Sequence, residues 1–299
     1  MSANGLTAST NYPHELAQEI FSKVKGHSTL AMLSGQDAIP FVGKDVFTFS
    51  MANEVSIVGE ANPKPAGAAA VTPVPIVPLK IVYQERVSDE FVRCAEEKQL
   101  EYLSAFNDGF AKKIAKGIDI MAFYGIDPQS KNLSSIIGSN NFKTKIVAPN
   151  IITYDNTTPD KNIDDAIAAV ETSEYECTGI AMAPVMRSDI ASMTSSAGRK
   201  YPEFAWGGTP SALGGMTLDV NPTVSYNSGD LRAIVGDFEN AFRWGICDMI
   251  NFETIEYGDP DGQGTDLKNY NQILLRAEAY VGWAILDANA FAAVEEGNQ

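Results

Sequence analysis

The chain has 299 residues, with 22 Lys and Arg against 38 Asp and Glu, a formal charge of -16. Such an anionic excess argues against a protein that holds nucleic acid by its phosphates, because that binding exchanges counterions for Lys and Arg. With 44% hydrophobic and 20% charged residues the composition is globular, and it offers neither a membrane span of about 20 apolar residues nor a signal peptide's apolar core, so cytoplasmic synthesis and use are expected. Cys94, Cys177 and Cys247 are odd in number, far apart and without a CxxC pattern, which reads as free thiols and not as a disulfide or zinc framework. The two histidines, His14 and His27, both precede the first strand-like segment, and no GxGxxG, GxxxxGK[ST] or GxSxG occurs. No catalytic, metal or cofactor site is expected.

In chain order, residues 1 to about 40 read as an arm. Leu16, Ile20 and Val24 give a short helical pattern, Gly26 and Gly35 interrupt it, and the stretch needs a surface to lie on. From Asp45 the period changes to two, with Phe47, Phe49 and Met51 on one strand face, continuing loosely through Val55 to Val58. A second strand is expected at Val77, Leu79, Ile81 and Tyr83. Between them, Pro63, Pro65, Pro73, Pro75 and Pro78 keep the chain extended, and Ala66 to Leu79 carry no charge. This is a two-stranded flap with a Pro/Gly/Ala tip, and an uncharged extended face of that kind requires a covering surface.

Ser88-Asp89-Glu90 is a helix start. Phe91, Ala95, Leu103, Phe106, Phe110, Ile114, Ile118 and Met121 then recur at helical spacing, predicting one helix from about Asp89 to Tyr124. Beyond a loop at Gly125 to Asn141, a helix is expected from near Asp160, a buried strand at Gly179 to Ala183, and a helix from Pro184 to near Gly198. Strands follow at Ala233 to Val235, at Phe242, Trp244 and Ile246, and at Ile250 to Tyr257. The clearest strand places Ile273, Leu275, Ala277, Ala279, Val281, Trp283 and Ile285 on one face. The body is therefore a mixed α+β domain. Gly258 to Asp266 opens like a calcium loop, but Tyr270 stands where the bidentate glutamate would be, and strands flank it. A hairpin turn is the first reading, a weak or inter-subunit cation site the second.

The order of these pieces resembles a known family. The arm, the Pro-rich flap with Gly59-Glu60-Ala61-Asn62-Pro63-Lys64, the Ser88-Asp89-Glu90 helix start and the long helix are similar to the first half of tailed-phage major capsid proteins of the Hong Kong 97 fold. Met182-Ala183-Pro184, Leu213-Gly214-Gly215-Met216, Gly236-Asp237-Phe238, Arg276 and Asn289-Ala290-Phe291 continue the resemblance over residues 40 to 295. The resemblance implies an N-terminal arm (1–41), an extended loop (42–84), a peripheral domain (85–127 and 241–275) and an axial domain (128–240 and 276–299).

It further implies hexamers and pentamers forming an icosahedral head around double-stranded DNA, with a separate scaffolding protein and a portal protein as partners. The location would be the virion, after assembly in host cytoplasm. Inter-subunit contacts are expected at Glu60, Lys64, Pro65, Val74, Ile76, Asp259 and Asp261. Lys64 also matches the loop lysine through which some members cross-link, although no asparagine and glutamate can be matched to it. The acidic excess is expected on the inner face and around the axial domain. An encapsulin-like compartment enclosing a cargo enzyme and a soluble α/β enzyme with an unrecognised carboxylate site are the alternative readings.

Overall fold

A computed structural model describes residues 27–51, 55–60, 62–90, 96–196, 198–247 and 251–297. The arm pattern at Leu16, Ile20 and Val24, and Phe91 and Ala95 of the helix pattern, lie outside them. The arm enters as α1 (Thr29–Leu33), and Leu30 and Leu33 are buried in the main hydrophobic core, which supplies the surface the arm needed. Next come β1 (Lys44–Met51) and β2 (Ala69–Ile76), paired antiparallel from Lys44 with Ile76 to Met51 with Ala69.

The flap's second strand is thus the Pro-rich segment itself, and not the expected strand at 77–84. Backbone N–H groups alternate sides along a strand, so Pro73 and Pro75, two residues apart, place both missing donors on the open edge, while Thr72 and Val74 face the ladder. Residues 79–84 belong instead to β3 (Leu79–Ser88), which joins the body. No strand continues over Val55 to Val58 in the described residues.

The long helix α2 (Glu96–Tyr124) buries Phe106, Phe110, Ile114, Ile118 and Met121 as the spacing predicts. Ser88 closes β3, and its Oγ accepts the Glu90 N–H at 3.3 Å. A short helix, α3 (Phe142–Lys145), is capped by the Asn141 side chain, which accepts from the Thr144 N–H.

After β4 (Ile151–Thr153) come α4 (Pro159–Thr172), with Pro in its first turn, β5 (Gly179–Met182) and α5 (Pro184–Ser192). The helix from Pro184 therefore stops at Ser192 and does not reach Gly198. Met193 turns extended, and Thr194–Ser195 (β6) pairs with Gly198–Arg199 (β7) in a tight hairpin. The remaining strands are β8 (Ala212–Leu213), β9 (Met216–Val220), β10 (Leu231–Gly236), β11 (Phe242–Ile246), β12 (Asn251–Ile255), β13 (Gln272–Ile285) and β14 (Phe291–Glu295).

Two sheets organise the body. One is mixed and six-stranded, in the order β4-β14-β10-β5-β9-β8. Its central strands are buried on both faces, so they read as unbroken apolar runs and not as alternation. Helices α4 and α5 cover one face through Ile163, Val170, Met186 and Ile190. The other sheet is built on β13, with β3 along one edge and β11 and β12 in tandem along the other. The face from Ile273 to Ile285 packs into the same core as α2, as the alternation required. Arm and sheet meet closely at β11. The Asp37 N–H donates to the Trp244 carbonyl at 2.8 Å, and a Cβ on Gly245 would lie 2.1 Å from the Asp37 oxygen, so only glycine fits there.

Candidate functional site: an apolar flap face and an arginine-centred loop

The β1/β2 ribbon has two unlike faces. Val46, Val74 and Ile76 turn toward the body, where Ile76 is buried with Ile39, Cys247 and Ala284. On the opposite face Phe47, Phe49 and Met51 are 66%, 63% and 74% exposed beside Pro73, Val71 and Ala69. Three large side chains in a row, paired with the uncharged strand β2, make an apolar patch that no described residue of the chain covers. At the tip, Glu60, Lys64 and Pro65 are all exposed. Val74 is half-buried and Ile76 fully so, and Ile76 anchors the flap's base to its own body. It is thereby removed from the surface that another subunit could touch.

The loop between β12 and β13 is organised by a residue the sequence reading passed over. Arg86, on β3, donates through Nε to Asp261 Oδ2 at 2.8 Å, through Nη2 to Asp259 Oδ1 at 2.7 Å and to Asp261 Oδ1, and through Nη1 to Thr265 Oγ1 at 2.7 Å. The Thr265 carbonyl accepts from the same guanidinium at 3.2 Å. The oxygens that resembled a calcium loop thus converge on an internal cation, and no metal-ligating cluster occurs among the described residues. The Arg86 hydrogen bonds hold the Asp261 carboxyl down at about 2. Its contribution to stability is therefore present above the ordinary carboxylate range and lost as pH falls through about 2.

Arg86→Gln is expected to return the Asp261 pKa toward an ordinary carboxylate value and to speed amide exchange across 258–266. Carbon-13 NMR titration and hydrogen exchange read the two effects, and an unchanged Asp261 titration would show that Arg86 does not organise the loop.

The arm is fastened by a third cluster. Asp119 of α2 is fully buried and accepts from Ser28 Oγ at 2.5 Å, the Thr29 N–H at 2.9 Å, the Leu30 N–H at 3.3 Å and Thr223 Oγ1 at 2.9 Å. Thr29 Oγ1 donates to Asp219 Oδ2 at 2.6 Å. Burial raises the Asp119 carboxyl to about 6, with these hydrogen bonds opposing the rise. The only sequence signal was an acid at a position where the helical pattern demands burial.

A two-sheet body that extends a flap with an exposed apolar face beyond its own core defines an assembling structural subunit. Residues 11–295 match the family model described as "Phage capsid family", and the chain belongs to that family. No curated protein matches it. A solved structure from Mycobacterium phage Ogopogo is 26% identical, covering 91% of this chain and 92% of its own, with a TM-score of 0.77. One from Gordonia phage Cozz is 22% identical over 91% and 87%, with a TM-score of 0.73. A structure titled "Capsid of native GTA particle computed with C5 symmetry" shares the fold at 15% identity over 90% of each chain, with a TM-score of 0.63. The mixed α+β fold expected from the resemblance is observed, and it matches solved phage capsid structures. Family and neighbours indicate a structural protein, and the encapsulin reading is not favoured. No described helix is long and apolar enough to cross a membrane.

Proposed function

We propose that the chain is the major head protein of a tailed double-stranded DNA phage, assembling as hexamers and pentamers into an icosahedral shell. The observation that carries this reading is the open face of Phe47, Phe49 and Met51, a surface stable in water only once another copy covers it. The proposal divides the chain into an arm (1–41), the flap, a peripheral domain (85–127 and 241–275) and an axial domain (128–240 and 276–299). The flap proper is residues 44–76. Contacts between copies are assigned to Glu60, Lys64 and Pro65 at the flap tip and to Asp259 and Asp261 on the Arg86-centred loop, while Val74, which turns toward its own body, is left out. A scaffolding protein, a portal protein and the enclosed genome complete the partners, and assembly takes place in host cytoplasm.

Phe47→Ser combined with Phe49→Ser tests the reading. Both side chains are exposed in the single subunit, so its melting temperature should stay within the small range of surface changes. Particle formation, followed by light scattering and electron microscopy, should be abolished. A wild-type chain that stays monomeric under every assembly condition, with or without scaffold, would overturn the proposal, as would a double variant that assembles normally.

A further inference from the structure

Most described lysines outside one region are matched to carboxylates. Lys44, Lys80, Lys143, Lys161 and Lys200 each form an ion pair. Lys112, Lys113 and Lys116 on α2 and Lys131 on the loop after it are exposed and have no carboxylate within ion-pair distance among the described residues. Lys112 and Lys116, one helical turn apart, line an open cleft of about 600 Å³ together with His27, Asn221, Ser225 and Tyr226, and no acidic residue among the described ones lines it. Lys116 Nζ sits 5.2 Å from the centre of the Tyr226 ring. The Tyr226 hydroxyl donates to the Pro128 carbonyl at 3.4 Å, which brings the Lys131 loop alongside.

We propose that this cleft is a track for the phosphate backbone of double-stranded DNA, used without regard to sequence. Lysine ammonium groups act as mobile point charges, and amide and hydroxyl groups beside them are the usual companions at phosphate and sugar oxygens. None of the lining residues is a large exposed apolar side chain. A peptide ligand would need such an anchor, and a phosphodiester chain does not. The net charge of -16 is compatible with the track, because at physiological salt fields fade over about 8 Å, so a docked phosphate feels the cleft lysines more than distant carboxylates. This inference rests on the reading of the chain as a head protein around DNA.

The test uses the unassembled full-length chain and a fluorescent random-sequence duplex, with anisotropy followed across a salt series. Lys112→Ala with Lys116→Ala is expected to weaken binding at low salt by about 10-fold or more and to flatten the log-log salt slope by about two. Lys161→Ala, which removes an ion-paired lysine of α4, should change neither. Thermal melting confirms that each variant is folded. Wild-type affinity and slope in the double variant would overturn the track, as would absence of wild-type binding at low salt. Equal binding of poly-glutamate would replace DNA with an acidic peptide as the ligand. Electron microscopy of the same preparations separates the two ideas: particles with cleft-independent binding sink the track, and cleft-dependent binding from a chain that never forms particles sinks the head-protein reading alone.

Discussion

Asp119→Ala is expected to lower the unfolding free energy by about 3 kcal/mol near neutral pH, because it strands two hydroxyls and two backbone N–H groups in a buried site. The loss should be concentrated where the arm meets α2, so exchange of amides 28–34 rises more than that of β13. Asp119→Asn separates charge from shape. It retains one acceptor oxygen but turns an amide toward donors, and is expected to cost about 1–2 kcal/mol.

The folded pKa of about 6 lies above the ordinary carboxylate value, so the proton is held more tightly in the folded chain. That contribution is fully present below the unfolded pKa and is lost as pH rises through about 6. Wild type should therefore gain on Asp119→Asn by about 1 kcal/mol between about pH 7.5 and about pH 5. Paired urea denaturation at the two pH values measures it, and a gap independent of pH would show that Asp119 does not titrate in this range.

Phe142→Ala is expected to cost about 4 kcal/mol, read by thermal or chemical denaturation, and Phe142→Leu about 1–2 kcal/mol. Phe142 is fully buried, and its ring centre lies 5.0 Å from Phe291, 5.4 Å from Phe242, 5.9 Å from Phe123 and 6.0 Å from Phe238. Those four neighbours come from β14, β11, α2 and the turn after β10, so one ring joins both sheets to the helix. Edge and tilted contacts of this kind add to simple burial, and the cavity left by alanine has walls on rigid elements that cannot collapse into it. A loss below about 1 kcal/mol would refute that junction.

Period and burial explain which elements could be read from the sequence. β13 alternates from Leu275 to Val281 and keeps Ile273, Trp283 and Ile285 on the same face, and α2 repeats over eight turns, so each declares both its type and its buried face. β14, whose Phe-Ala-Ala-Val-Glu run is buried on both faces, has no alternation and carries helix-favouring alanines, and it was not foreseen. β9 was missed for a related reason, since its short run follows the turn glycines Gly214 and Gly215.

In the flap, proline was correctly read as enforcing extension. The partner strand was assigned wrongly, because the two-residue spacing of Pro73 and Pro75 lets that segment pair on one edge. The site was legible where it depends on composition: an uncharged apolar face is visible as letters. Arg86 and Asp119 act through partners 173 and 91 residues away, a pairing that only the folded chain brings about.

The join between β2 and β3 has a mechanical consequence. Only Val77 and Pro78 separate the flap from β3, and β3 is laddered to β13 through ten consecutive residues, from Leu79 with Val281 to Ser88 with Gln272. Tension that runs along the strand axis acts at right angles to those hydrogen bonds. The ladder is then loaded in shear, its bonds sharing the force at once and not opening one by one from an end. The flap is thus a tether rooted in the longest strand of the body, and a pull on it is carried directly into the core beneath α2.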